Sequence, residues 1–275
     1  MNINKYIFTI AMTFFCLCLS AQKEQSVGTP KENTGVIRRL ADKGYKITMR
    51  AGLNIGGTTP LPVPSEVKSI NSFDPGMNLG IGVDIEKMLT RNWGVQVGIR
   101  CENKGMETDV TVENYHTKLM RDGDQTEGNY TGKESTNVNY SLLTIPILAR
   151  YRFNKHWAVN IGPYFSYAMK REFTGIAADG YMRTLKADPV TGLQVPIGSK
   201  IEIPADNPAT YDFSSDMRRF QWGIEAGVDW QCFKHFMVFA HLDWGMNDTF
   251  KSDFKETITF TMYPIYGAVG FGYTF

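Results

Sequence analysis

Residues 220–232 read FQWGIEAGVDWQC, and this stretch decides the fold. Apolar residues occupy alternate positions from Phe220 to Cys232, and polar residues or glycine, including Glu225 and Asp229, fill the positions between them. A period of two places the two sets on opposite faces of a β-strand, whereas a helix would scatter the charges around every side. The stretch therefore predicts a strand with one apolar face and one charged face.

The same alternation recurs along the chain. It predicts eight strands, at about 44–57, 75–87, 92–107, 135–153, 156–172, 217–232, 235–249 and 256–275. In two of them the apolar phase shifts, near Leu142 and Leu143 and again around Pro264, and a β-bulge is the expected cause of each shift.

The connections between these strands alternate in length. Tight turns near Thr90-Arg91, Asn154-Lys155 and Phe233-Lys234 alternate with longer links, which include 108–134 and 173–216. Short periplasmic turns and long extracellular loops are typical of outer-membrane barrels. Aromatic residues follow the short turns and indicate a periplasmic aromatic girdle, the alternative being ordinary aromatics at strand ends; they are Trp93, Trp157 and Phe236.

The polarity of the second face separates a membrane barrel from a soluble one. Soluble sandwiches and lipocalin-like barrels also alternate, but a soluble core cannot hold many ions. Here the second face carries eleven charges: Arg50, Asp84, Glu86, Arg100, Glu102, Arg150, Arg152, Lys170, Glu225, Asp229 and Asp243. We therefore predict an all-β fold, an eight-stranded antiparallel transmembrane β-barrel whose apolar outside meets outer-membrane lipid.

The first residues have the order of a secretory signal peptide, with Lys5, an apolar run over 7–19, and then Ser20-Ala21. The run is too short to span a bilayer as a helix. A lipoprotein signal is the alternative, but neither Cys16 nor Cys18 follows the small residues that lipidation requires. We expect a signal peptide at 1–21, a polar periplasmic segment at 22–43, either a short helix or a disordered lead-in, and the barrel domain at 44–275.

Charge and cysteine content exclude several function classes. The chain has 29 basic and 28 acidic residues, a formal charge of +1. Cleavage of the leader removes Lys5 and leaves no basic excess for nucleic acid. The two remaining cysteines, Cys101 and Cys232, fall on the lipid-facing phase and form neither a disulfide framework nor a zinc motif. No cofactor or metal is predicted.

Three short stretches carry a family resemblance, namely AGLNIGG at 51–57, LTIPILARYRF at 143–153 and GAVGFGYTF at 267–275. Together with the leader they resemble the PorT-like outer-membrane β-barrel family. The resemblance implies an outer-membrane location and, for some relatives, a part in protein export, with envelope or export proteins as partners. The apolar alternation ending at Phe275 is similar to the signal read by the barrel assembly machinery.

An eight-stranded barrel is barely wide enough for side chains to fill it. We therefore interpret the inner charges as a structural plug of ion pairs, the alternative being a small solute-specific channel. Glycines on the inner face, such as Gly82 and Gly98, would make room for long side chains opposite them.

No catalytic, cofactor-binding or metal residue is predicted. His241 and Asp243 share the inner face, but no nucleophile motif or third partner accompanies them, so an enzyme is the weakest alternative. Long loops on a rigid scaffold carry recognition. Loop 173–216 mixes apolar residues with prolines, so we expect it to be partly ordered, as a strand extension. The favoured hypothesis is a non-enzymatic binding, envelope-structural or export-associated role through loop 173–216, the alternative being a loop that only shields the barrel mouth.

Overall fold

The computed structural model describes residue 40, residues 42–256 and residues 260–275. The predicted signal peptide at 1–21 and most of the predicted segment at 22–43 lie outside the described residues. Residues 45–275 form a compact unit. No helix in the described part of the chain is long and apolar enough to cross a membrane.

The described residues contain thirteen strands and two short 3₁₀ helices. In chain order they are β1 (Tyr45–Pro60), β2 (Val67–Asp74), β3 (Asn78–Met88), β4 (Trp93–Arg121), β5 (Asp124–Arg152), β6 (Trp157–Thr184), β7 (Lys186–Ala187), β8 (Gln194–Val195), β9 (Lys200–Ile203), β10 (Ala209–Asp212), β11 (Phe220–Gln231), β12 (Phe236–Gly245) and β13 (Met262–Thr274), with the 3₁₀ helices at Ser214–Asp216 and Ser252–Glu256.

Eight of these strands close into a ring. Their order is β1, β3, β4, β5, β6, β11, β12 and β13, every neighbouring pair is antiparallel, and β13 returns to β1. The closing ladder runs without interruption from Thr48 opposite Thr274 to Pro60 opposite Met262. The predicted eight-stranded antiparallel barrel is confirmed.

The three predicted tight turns lie at one end of the ring, where β3 meets β4, β5 meets β6 and β11 meets β12. At the opposite end β4, β5 and β6 continue far beyond the ring, with 29, 29 and 28 residues. About 9–11 residues are enough for a strand to cross a membrane. The predicted loop at 108–134 is therefore wrong, because both strands continue to a two-residue turn at Asp122 (φ 54°) and Gly123 (φ 90°).

We call the prolonged part of this sheet the extension; it comprises 106–121 of β4, 124–137 of β5 and 171–184 of β6, together with β2, β9 and β10. β2 pairs with β4, and both β9 and β10 pair with β6. Thr210 of β10 also pairs with Met120 of β4, so the extension curls around its own interior. The predicted loop 173–216 is thus largely strand.

Neither predicted phase shift is a bulge in the strand that showed it. β13 keeps one register through Pro264, and β5 keeps Val138, Tyr140 and Leu142 on its inner face. The alternation in the sequence changes here because the inner face of both strands is itself apolar near the extension, and not because a residue is inserted. The register shift lies in β6, between the partners of Ser141 and Leu142.

This bulge corrects one predicted inner charge. Ser141 pairs with Lys170 and Leu142 with Ala168, so β6 has one extra residue at this point. A residue inserted into a strand moves the following side chains to the other face. Lys170 consequently points outward, where its Nζ lies 2.8 Å from a carboxylate oxygen of Glu172.

Aromatic side chains form two belts on the outside of the ring. The belt at the turn end includes Trp157 stacked on Trp230 with ring centroids 5.9 Å apart. The second belt includes Phe165 and Phe220, 6.3 Å apart. The ten-residue step along β6 from Trp157 to Tyr167 is about 33 Å long at about 3.3 Å per residue, and strand tilt reduces it to the roughly 25 Å apolar band of a membrane barrel.

The extension has the opposite arrangement, with its apolar residues inside. Its buried residues join those of the upper ring in one apolar cluster: Val112, Leu119, Tyr130, Val138, Tyr140, Leu142, Ala168, Phe173, Ala177, Met182, Ile203, Ala209, Tyr211, Phe213, Met217, Phe250 and Met262. The larger apolar core of the described residues therefore lies at the extension end of the barrel, and a small cluster of Met237, Phe239 and Ala268 lies within the ring.

Candidate functional site

The lumen near the turn end is filled by two arginines and the carboxylates around them. Arg50 Nε lies 2.5 Å from Oδ2 of Asp84, and its Nη2 lies 2.9 Å from Oδ2 of Asp229. Arg150 also pairs with Asp229, and its Nε lies 3.1 Å from Oε2 of Glu86. Asp229 of β11 therefore holds two guanidinium groups that come from different strands, Arg50 from β1 and Arg150 from β5.

Further along the lumen, Arg100 and Lys104 repeat this pattern. Arg100 Nη1 donates to both carboxylate oxygens of Glu225, at 3.0 and 2.9 Å. Lys104 Nζ lies 2.6 Å from Oδ2 of Asp243 and 3.5 Å from Oε2 of Glu102. Both bases lie on β4 and reach across to β11 and β12, so these ion pairs cross the lumen.

Charge inside the described lumen is balanced. Six carboxylates are buried, and each has a base within ion-pair distance: Asp84, Glu86, Glu102, Glu225, Asp229 and Asp243. Four buried bases and two less buried ones at the turn end face them: Arg50, Arg100, Lys104, Arg150, Arg152 and Lys46. Buried charges are tolerated when they are paired in this way.

Glycines provide the room that these long side chains need. A Cβ atom on Gly82 would lie 2.5 Å from Cγ of Arg100, and one on Gly98 would collide with the Asp84 carboxylate. A cavity beside Arg50 and His241 has about 20 Å³, which is room for about one water molecule. Side chains therefore occupy this part of the lumen almost completely.

His241 lies in this filled region. Its ring stacks on Phe239 with centroids 5.5 Å apart, and its two nitrogens lie 4.0 Å from Glu225 and 3.9 Å from Asp243. Ligand atoms of Glu102, His241 and Asp243 lie within 4.8 Å of one another, a grouping that the sequence did not predict. The Lys104 ammonium already pairs with both carboxylates and supplies the positive charge that a metal ion would bring.

A second cavity, different in character, lies at the extension end of the barrel. We call it the apolar cavity; it has about 370 Å³ and is lined mainly by aliphatic and aromatic side chains. The lining includes Val63, Val67, Ile70, Phe73, Met106, Val110, Val112, Tyr115, Phe173, Tyr211, Phe213, Phe260, Met262 and Ile265. A cavity of this size and composition suits a small apolar molecule.

The apolar cavity has a mouth in the barrel wall. β1 pairs with β3 only as far as Asn54 opposite Asn78, and beyond that level β2 takes the place of β3 beside β4. Among the described residues β2 has no ladder with β1, so the edge of β1 that faces β2 is unpaired beyond Asn54. Ile70 and Phe73 of β2 line this gap and are 63% and 51% exposed.

The register places this mouth at the level of the second aromatic belt. Gly57 of β1 lies opposite Ile265 of β13, and Ile265 lies opposite Trp244 of β12. Trp244 is half exposed on the outside of the ring, as are Trp222 and Phe220. The mouth therefore opens where the apolar band of the barrel ends.

One carboxyl group lines the apolar cavity. Glu134 of β5 is only 7% exposed, and Tyr211 hydrogen-bonds to it. Thr136 and Tyr211 share a hydrogen bond of 2.7 Å beside it. Burial raises the pKa of Glu134 to about 7, an effect that the hydrogen bond from Tyr211 opposes. Within the described residues no base forms an ion pair with this carboxylate.

A more open cleft lies on the other side of Tyr211 and Phe213. It has about 720 Å³, and its lining is more polar, with Glu107, Lys118 and Asp212 among its residues. Tyr211 and Phe213 line both spaces and form the partition between them. The apolar cavity is thus closed on the cleft side by Tyr211 and Phe213, and it opens at the mouth between β1 and β2.

Comparison with known proteins is consistent with this architecture. The chain belongs to the outer membrane protein beta-barrel domain family. The sequence model of this family matches residues 21–251, most of the chain. The protein is accordingly located in the cell outer membrane, as the sequence predicts. No curated protein matches the chain.

Three solved outer-membrane proteins are similar to this chain at low identity. Ail of Yersinia pestis, solved with the heparin analogue sucrose octasulfate, is 11% identical, with 84% of this chain and 97% of Ail covered and a TM-score of 0.36. OprG of Pseudomonas aeruginosa is 9% identical, with 84% and 95% covered and a TM-score of 0.34. CarO2 of Acinetobacter baumannii is 12% identical, with 84% and 99% covered and a TM-score of 0.35.

Sequence reasoning predicted the inner charges of this family member but missed its apolar cavity. Glu134 and Tyr211 fall in the segments predicted as loops, 108–134 and 173–216. The Asp122-Gly123 pair was the available signal, since Asp-Gly between alternating residues is a strong mark of a two-residue hairpin. It would have extended β4 and β5 and placed Glu134 within a strand.

The two cysteines contribute to neither cavity. Cys101 is an exposed free thiol on the apolar outer face of β4, as predicted, opposite Ile81 and Leu143. Cys232 is also free and lies at the turn after β11, with its Sγ 3.7 Å from the carbonyl oxygen of Trp230. In membrane lipid a free thiol behaves as a small apolar group.

Proposed function

We propose that this outer-membrane barrel is a non-enzymatic binding protein that takes up a small apolar molecule in the apolar cavity. The observation that carries the proposal is the cavity itself, about 370 Å³ and lined mainly by apolar side chains, with a mouth in the barrel wall. Apolar surface that a ligand removes from water contributes about 25 cal/mol per Å². A ligand of suitable shape would therefore bind by burial alone.

The filled lumen argues against the alternative of a solute channel. Ion pairs that involve Arg50, Arg100, Lys104 and Arg150 cross the described lumen, and a cavity of about 20 Å³ remains beside them. A solute would have to break several buried ion pairs in order to pass. The lumen serves as a rigid plug in this proposal.

The enzyme alternative lacks a reactive arrangement. His241 has no hydrogen bond to a hydroxyl group among the described residues, and its ring is enclosed between Phe239 and charged neighbours. A nucleophile must lie within hydrogen-bond reach of its base. We therefore propose that the barrel is not an enzyme.

The ligand would enter from the membrane. The mouth between β1 and β2 lies at the level of Trp244, where the apolar outer band ends, and Ile70 and Phe73 present apolar surface there. A lipid-soluble molecule can reach this mouth without crossing the charged lumen. Short turns would then face the periplasm and the extension would face outward, as is usual for such barrels.

Native mass spectrometry of the refolded full chain with 1-decanol tests this proposal. A heat-modifiable gel shift first confirms that the barrel is closed. We then expect one decanol molecule bound to each protein. Gly57→Leu places a side chain between Phe73 and Met106, whose atoms lie 3.2 and 2.5 Å from an added Cβ. This variant should bind decanol at least five-fold less well.

Ala149→Leu is the matched control, because it adds a side chain of the same size to the lipid-facing surface of β5. It should bind decanol as the unmodified chain does. Equal binding by the Gly57→Leu and Ala149→Leu variants, or a non-saturating series of adducts, would show that decanol does not occupy the cavity.

A second candidate is partner docking at the β7–β8 hairpin. Apolar side chains are exposed at this hairpin, with Val190 92% exposed and Leu193 and Ile197 more than half exposed. Such surface commonly marks an interaction site. The PorT-like resemblance makes envelope or export proteins the proposed partners, besides the assembly machinery and membrane lipid.

In-cell photo-crosslinking from position 190 tests the docking candidate. A discrete cross-linked band that is lost in a Leu193→Ser, Ile197→Ser double variant would support it. A band that survives both substitutions, or no band from a surface-exposed barrel, would contradict it.

A further inference from the structure

The apolar cavity contains a carboxyl group, which the binding of a purely apolar molecule does not require. Glu134 is buried and lines this cavity, and it is the one acidic or basic residue among the described lining residues. An ionised carboxylate in such surroundings is costly unless an opposite charge or several hydrogen-bond donors compensate it. Among the described residues the Tyr211 hydroxyl hydrogen-bonds to it.

The titratable groups packed around Glu134 are phenols. Tyr115 comes from β4, Tyr130 from β5 and Tyr211 from β10, and the pKa of each is raised above its ordinary value, chiefly by burial. All three are therefore neutral at physiological pH. The nearby strands contribute no cation to this side of the cavity among the described residues, in contrast to the lumen, where every buried carboxylate has a base.

We propose that the ligand is an apolar molecule with one amine head group, which pairs with the Glu134 carboxylate inside the cavity. This inference rests on the function proposed above and names the ligand class. The head group would supply the positive charge that the protein omits. Tyr115, Tyr211 and Phe213 line the same cavity, and aromatic faces attract cations further.

The pH dependence of binding follows from the two ionisable groups. The pKa of Glu134 is raised to about 7 by burial, so the free protein carries more carboxylate at pH 8 than at pH 5. A primary alkylamine has a pKa near 10, as lysine does, and stays charged across this range. Amine binding should therefore strengthen as pH rises from 5 to 8, whereas binding of an alcohol should not change.

Decylamine and 1-decanol form a matched pair of probes for the refolded full chain. At pH 8 we expect decylamine to bind at least ten-fold more tightly than decanol, measured by competition in native mass spectrometry and by calorimetry in nanodiscs. The preference should fall below three-fold at pH 5. Glu134→Gln keeps the shape of the side chain and should abolish the preference.

Glu107→Gln is the control, because Glu107 is an exposed carboxylate that lines the open cleft and not the apolar cavity. It should keep the amine preference. If decanol binds but decylamine has no advantage, or if Glu134→Gln keeps that advantage, the inference is wrong and the binding function stands. If neither probe binds at one site, the proposed function fails together with the inference.

Discussion

The barrel and the extension share three long strands, β4, β5 and β6, but have opposite polarity. Within the ring β4 turns Arg100, Glu102 and Lys104 inward, and further along the same strand Val112 and Leu119 are the buried residues. The outside changes in the opposite sense. Ile161 of β6 faces outward between the aromatic belts, and Lys133 of β5 pairs outside with Asp179 in the extension.

This difference shows that the surroundings of a strand decide which of its faces is polar. In the membrane the outside must be apolar, so the charges go inside, where they are stable only as pairs. In water the outside takes the charges and the inside becomes an ordinary apolar core. The apolar cavity lies at the junction, where an apolar interior meets a gap in the wall.

The largest effect should come from removal of a central lumen charge. Asp229→Ala leaves Arg50 and Arg150 without their shared carboxylate, and loss of one partner of a buried pair costs about 3–5 kcal/mol. Urea unfolding in lipid vesicles should show a decrease of this size in the free energy of unfolding.

The matched control lies outside, at the exposed pair of Lys170 and Glu172. Glu172→Ala should change the free energy of unfolding by less than about 1 kcal/mol, because water screens exposed pairs. Equal effects of the Asp229 and Glu172 substitutions would remove the distinction between a paired lumen and a solvated surface.

A second effect should come from one substitution made at two places on β6. Ile161 lies on the apolar outside of the ring, and Ile176 lies on the outside of the extension; both are half exposed. Ile161→Arg should cost about 2–4 kcal/mol in a bilayer. Ile176→Arg should stay within about 0.5 kcal/mol, as surface substitutions usually do.

Unfolding of both variants in the same vesicles measures this difference. The contrast should shrink in detergent micelles, because micelles adapt to a charged surface more easily than a bilayer does. If Ile176→Arg proved as costly as Ile161→Arg, the extension would also lie in lipid.

A third and smaller effect concerns the pH dependence of the extension. Burial raises the pKa of Glu134 to about 7 in the folded state, against 4.5 when it is exposed. Between these values only the folded extension holds the proton, so its stability falls as pH rises, by up to about 3 kcal/mol in total. Below pH 4.5 and above pH 7 the contribution of this group no longer changes.

Hydrogen exchange of the amides in β4 and β5 beyond the ring measures this local stability. Glu134→Gln should remove the pH dependence and keep the protection that is seen at low pH. Protection that increases from pH 4.5 to 7 would contradict a buried, unpaired carboxyl.

Much of the barrel could be predicted from the sequence because the membrane imposes a strict rule. Strands such as β11 alternate without exception, so their apolar and charged faces were evident. The turn positions and ten of the eleven inner charges were predicted correctly; Lys170 was the exception, because the bulge in β6 leaves no mark in its composition.

The extension and its cavity were harder to predict because a strand in water can carry polar and apolar side chains on both faces. Residues 108–134 contain many Thr, Asn and Glu side chains, which weaken the alternation although every residue lies in a strand or its turn. The cavity also depends on register, since Gly57, Glu134 and Tyr211 come from three distant segments. No spacing in the sequence reports that they meet.

Single-channel conductance of the refolded protein in planar bilayers tests the central claim most directly, namely that ion pairs close the lumen and leave function to the outer end. Closure of the barrel is first confirmed by the heat-modifiable gel shift. We predict no discrete openings, because Asp229, Glu225 and Asp243 hold bases across the described lumen. Steady openings of uniform size from the folded barrel would contradict this and make solute transport the function.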